Sequence, residues 1–71
     1  MENRTTYIIY KYIIKYIEEH NYSPTYDQIS FDLGYSKGTV HNAVAYLIEH
    51  NYIDRPKWGV LLVTEREYED D

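Results

Sequence analysis

The chain has no cysteine, and among its 71 residues there are only two prolines, three glycines, one tryptophan and one phenylalanine. Without cysteine, neither a disulfide nor a thiolate metal site can staple the fold, so the core must be hydrophobic packing alone. A single domain of this length buries only about 60% of its unfolded surface, which leaves its stability marginal unless a partner or second copy helps. Long apolar runs are also missing. The longest, "YIIY" from Tyr7 and "VLLV" from Val60, fall far short of a membrane span, and no charged-then-apolar secretory signal opens the sequence. These absences predict a soluble, intracellular (cytoplasmic) protein with no membrane partner.

Positive charge is scarce as well, with seven Lys and Arg against twelve Asp and Glu, a formal net charge of -5. The excess is not spread evenly. "TEREYEDD", Thr64 to Asp71, holds five acidic residues and one basic, so Met1 to Val63 carries six basic and seven acidic residues, a net of -1. The composition predicts a folded domain over 1–63 and a solvated, disordered acidic tail over 64–71. A tail that competes with DNA for the protein's own basic surface, or is captured by another protein, is the sharper alternative.

The sequence "EHNY" occurs twice, at Glu19 to Tyr22 and at Glu49 to Tyr52. Each copy ends a stretch of helical apolar spacing. It places histidine by the last carbonyls, asparagine where a left-handed residue can close a helix, and tyrosine just beyond, so both copies read as stop signals. The first helix is predicted from about Arg4 to His20, with Ile9, Tyr10, Ile13, Tyr16 and Ile17 on one face and Lys11, Lys15, Glu18 and Glu19 on the other. Ile8, Tyr12 and Ile14 fall outside that stripe and either cover neighbouring loops or meet a partner.

After "YSP", Thr25 and Gln28 stand three apart, as a capping box requires, at the start of a second helix that turns Ile29 and Leu33 inward and ends at Gly34. Ser36 can cap a third helix whose inward face is Val40, Val44, Leu47 and Ile48. Two helices joined by "LGYS" make a helix-turn-helix. "YIDRPKWGVLLV" then has the pattern of two short strands, Tyr52 to Arg55 and Gly59 to Val63, around a proline-containing turn. The predicted fold is therefore α+β and mostly α: a three-helix winged helix-turn-helix with a short C-terminal β-hairpin as its wing.

Residues 7–55, including "SPTYDQISFDLGYSKGTVHNAVAYLIEHNYIDR", resemble the DNA-binding domain of LexA-type repressors. The Ser-Pro-Thr start of helix two, the Leu-Gly-Tyr-Ser turn, Thr-Val-His in helix three and Tyr-Ile-Asp-Arg before the wing carry the resemblance. It implies a repressor that binds double-stranded DNA, commonly as a homodimer on an inverted repeat. Ala43 and Val44 stand where that family often has a polar residue followed by leucine. The wing is short and no protease-like second domain follows, so self-cleavage is not implied.

With Val40, Val44 and Leu47 inward, the third helix turns Lys37, Thr39, His41, Asn42, Ala45, Tyr46 and Glu49 outward. Asn42 can pair with an adenine edge, Lys37 can reach guanine or phosphate, and Ala45 is small enough to let the groove approach. Ser36 and the free N–H groups beside it suit a phosphate. Arg55 and Lys57 can add backbone contacts from the wing, while Trp58 either stacks on a sugar or lids the small core. Each of these also has a plainer role as a solvated surface residue. An acidic total is compatible with DNA only if charge is polarised, with Lys37, Arg55, Lys57 and an Arg4 arm on one side. Few phosphates are neutralised per monomer, which favours a dimer. Helix one and the "GVLLV" strand both suit as its surface.

A reading from another class is a winged-helix module that binds a protein through its edge strand, its acidic tail or a surface rich in the ten tyrosines. The tyrosines equally suit the rim of a small core, and single-strand base stacking lacks a broad basic groove. Enzyme chemistry finds no support. His20, His41 and His50 have no acidic residue at metal-ligand spacing, and "YSKGT" lacks the first glycine of a phosphate loop and reverses its Gly-Lys order. No nucleophile has a base nearby in sequence, and neither metal nor cofactor is expected.

Overall fold

The computed structural model describes residues 4–57, 60–64 and 66. Helices α1 (Arg4–His20), α2 (Tyr26–Leu33) and α3 (Lys37–Glu49) are followed by strands β1 (Ile53–Lys57) and β2 (Val60–Val63), which pair antiparallel as a hairpin. Three helices and a two-stranded hairpin give the winged-helix-like α+β arrangement that the spacing predicts.

Local chemistry accounts for each helix end. Thr25 caps α2 by accepting the Gln28 N–H at 3.0 Å. The reciprocal half of the capping box is absent, because the Gln28 side chain donates to Asp32 Oδ1 one turn along at 3.0 Å. Gly34 closes α2 in the left-handed region at φ 77°, its N–H donating to the Ser30 carbonyl. Ser36 caps α3 by accepting the Thr39 N–H at 3.2 Å. Asn21 and Asn51 follow α1 and α3 at φ 64° and 65°, so both "EHNY" copies do close helices. In the second, His50 Nδ1 also lies 2.9 Å from the Tyr46 carbonyl.

The core gathers on α3, which touches α1, α2 and β1. Val40, Ala43, Val44 and Leu47 are buried, an i, i+3, i+4, i+7 stripe. Ala43 thus takes the inward place expected for Ile48, which is half-buried at the margin of the core. From α1 the stripe receives Ile9, Tyr10 and Ile13, from α2 Ile29, and from the hairpin Ile53 and Leu61. Buried Tyr52, just beyond the second helix stop, lies ring to ring with Tyr10 at 5.9 Å. Tyr12 and Ile14, outside the α1 stripe, pack against the edge of this core, which accounts for two of the surplus apolar residues.

The hairpin differs from expectation in one respect. Pro56 lies inside β1, not in the turn. The pairs Asp54↔Leu62 and Lys57↔Val60 leave Arg55 and Pro56 together opposite Leu61, a bulge. A bulge is where a strand can hold a residue that has no N–H to donate. Beyond β2, Thr64 still belongs to the fold: its N–H donates to the Tyr52 carbonyl at 3.1 Å and its hydroxyl to the Asn51 carbonyl at 2.6 Å. The Arg66 guanidinium lies 4.9 Å from the centre of the Tyr52 ring. The remainder of the predicted disordered tail lies outside the described residues. Among the described residues no helix is long and apolar enough to cross a membrane.

Two stability outcomes follow from this packing. Leu47→Ala removes the side chain at the centre of the core and is expected to cost about 2–5 kcal/mol, read as a lower urea midpoint. The second concerns Tyr12, whose hydroxyl donates to the Asp32 carboxylate and ties α1 to α2. Burial, then the bond to Asp32 and its charge, raise the Tyr12 pKa above its ordinary 10.0. A folded-state pKa above the unfolded one gives stability that is complete below pH 10 and lost as pH climbs toward the folded value. Thermal denaturation should therefore show a melting temperature falling above pH 10, and Tyr12→Phe should flatten that fall.

Candidate nucleic-acid interface

Because α3 spends one face on the core, its opposite face is fixed toward solvent. Lys37, His41, Asn42 and Ala45 are exposed there. Thr39 is half-buried, and its hydroxyl accepts from Ser36 Oγ at 2.9 Å. Ser36 is thus committed to Thr39 through both its hydroxyl hydrogen and its lone pair, leaving the N–H groups of Lys37 and Gly38 in the first turn of α3 as donors toward solvent. Tyr46 is half-buried and stacks on His50 with ring centres 3.9 Å apart, so its ring is turned to the end of α3 rather than the middle of the exposed face.

The wing joins this face through a residue that the sequence reading passed over. Tyr26, the first residue of α2, receives a hydrogen bond at its hydroxyl from Arg55 Nη1 at 3.0 Å and meets the His41 ring edge-on, with ring centres 4.4 Å apart. The chain Arg55, Tyr26, His41 therefore connects β1, α2 and α3. Arg55 and His41 were both expected here, whereas Tyr26 sits 29 residues from Arg55 and no local spacing signals the pairing. Lys57, exposed at the end of β1, extends the basic character of the wing, and Trp58 lies outside the described residues. Arg4 is the first residue of α1 and so belongs to a helix, not to an extended arm.

Charge on this face is mixed. Lys37 Nζ lies 3.1 Å from Asp27 Oδ1, with the two side chains 68% and 74% exposed. An ion pair this open to water contributes well under about 1 kcal/mol, so an incoming phosphate can take Lys37 from Asp27 at little cost. Gly38, second in α3, has no neighbour within 4 Å of where a Cβ would stand. The fold does not need glycine there, and glycine in a helix costs about 1 kcal/mol relative to alanine. Close approach of a ligand to the backbone is a use that would retain it.

Among the described residues, no three His, Asp or Glu side chains come together to hold a metal ion. No protein-family model matches the chain, and no curated protein matches it.

Gly38→Ala separates structure from function at this point. It should raise stability by about 0.4–1 kcal/mol in urea denaturation, while weakening binding to duplex DNA in a fluorescence-anisotropy titration.

Proposed function

We propose that the protein is a small transcriptional regulator, a repressor, that binds double-stranded DNA as a homodimer and reads the major groove with α3. The observation that carries this reading is the junction of Arg55, Tyr26 and His41, which sets the hairpin beside the exposed face of α3. A reading helix and a wing must address one duplex together, and a link between them supports that geometry. The resemblance of residues 7–55 to LexA-type repressors supports the same assignment.

In this reading Asn42 and Lys37 contact base edges, Ala45 lets the groove close on the helix, and His41 and Thr39 flank them. The α3 start at Ser36, through the Lys37 and Gly38 N–H groups, faces a phosphate, as do Arg55 and Lys57. Tyr46, stacked on His50, serves at the rim. No catalytic step, metal or cofactor enters, and the site of action is wherever the duplex is, inside a cell.

A second reading is favoured by one observation. Phe31 on α2 is 84% exposed, the most open of the large apolar side chains among the described residues. An aromatic this exposed on a small acidic domain suits a protein contact, which would make the fold a module that modulates another protein.

Selection of duplexes from a randomised pool, at low and moderate salt, decides between the two. One enriched palindromic sequence is expected, with binding lost in the Lys37→Ala, Asn42→Ala double variant. Absence of binding even at low salt would transfer the assignment to the protein-binding module.

A further inference from the structure

The two edges of the hairpin are built differently. The outer edge of β1 carries the devices that keep a strand from pairing with strangers: Pro56, a bulge, and the charged Asp54, Arg55 and Lys57. β2, "VLLV", carries none of them and bears no charge at all. Its backbone alternates. Thr64 donates toward β1, to Tyr52, whereas the Leu61 N–H points the other way and donates to Ser23 Oγ at 3.2 Å. By the same alternation Val63 directs its N–H and carbonyl away from β1, and Leu61 does so with its carbonyl. Leu62 and Val63 are 49% and 38% exposed, beside a groove of about 430 Å³ whose walls include Ile17, Tyr22 and Leu62.

We propose that the outer edge of β2 pairs with β2 of a second copy, antiparallel about a two-fold axis at Val63, joining two hairpins into one four-stranded sheet. Several features favour a second copy over a foreign strand. A two-fold axis at Val63 exchanges its N–H and carbonyl with those of its own copy and leaves the Leu61 N–H on Ser23. It sets Val63 against Val63, so that these exposed side chains cover each other, and places Leu62 beside the partner's Thr64. Two copies of a chain with net charge -5 repel, and the uncharged β2 is where contact costs least. A contact built on four-residue strands is small, so the dimer is weak and forms at high concentration or on a shared duplex.

The proposal deepens the homodimer in the DNA-binding reading by naming its surface, and its test needs no DNA. The absence of native cysteine makes cross-linking clean. Opposed residues of a hydrogen-bonded antiparallel pair have Cα atoms about 5.5 Å apart, within disulfide range. Val63→Cys under mild oxidation should form a linked dimer roughly tenfold faster than Glu18→Cys on the exposed side of α1. In sedimentation equilibrium Leu62→Lys should weaken self-association roughly tenfold, with its helical circular dichroism unchanged. Equal cross-linking at the two positions, or unchanged association of Leu62→Lys, would overturn the interface. Titrating the same Leu62→Lys variant with a duplex holding one half-site tests the DNA-binding reading separately. There, intact affinity retains that reading whatever becomes of the interface.

Discussion

One stripe on α3, formed by Val40, Ala43, Val44 and Leu47, supports the rest of the molecule. Helices α1 and α2 and strand β1 all pack on this helix, and the two valines and the leucine are fully enclosed. Each such aliphatic side chain contributes about 1.5–3 kcal/mol on burial. In a domain with no disulfide, that is a large share of the net stability. The same stripe has a functional consequence. Once the inner face is committed, the outer face of α3 cannot rotate, and Lys37, His41, Asn42 and Ala45 are held toward solvent.

The hairpin is seated on α3 by the burial of Ile53 and Leu61, and a hydrogen bond and a ring contact tie it to that outer face. Arg55 reaches Tyr26, and Tyr26 meets His41, so strand, α2 and α3 share one junction. The acidity of the chain is less of an obstacle to a polyanionic ligand than its total suggests. Five of the twelve acidic residues follow β2 in the sequence, and Asp27, which answers Lys37, does so through a solvent-exposed pair. Exposed pairs are exchanged readily, so polarity of the face, not the sum of charges, governs what it can hold.

Much of the fold was legible in the chain because its signals are local. Ser36, Gly34, Asn21 and Asn51 announce helix ends by conformations or side-chain bonds that operate within a few residues. The periodicity of α1 similarly anticipated Ile9, Tyr10 and Ile13 in the core. Elsewhere a competing interaction decided the outcome. Gln28 had the spacing of a capping box, but Asp32 offered it a partner on the same helix face. Pro56 looked like a turn residue, and the bulge opposite Leu61 placed it in a strand instead. The candidate interface was legible only in part, since the exposed face of α3 follows from helical spacing, whereas the role of Tyr26 depends on a contact across 29 residues. Phe31, two residues from both Ile29 and Leu33, stands by helical spacing on the outer side of α2, where it is exposed.

The central claim is that the outer face of α3 and the hairpin form one surface for duplex DNA. The most direct measurement is an amide chemical-shift titration of the labelled protein with the duplex recovered by selection or, if none is enriched, a mixed-sequence duplex at low salt. The account predicts that the largest shifts fall on Ser36 to Ala45 and on Arg55 to Lys57, while Phe31 and Tyr22 stay in place. Shifts concentrated around Phe31, or none on α3 at saturating duplex, would contradict it.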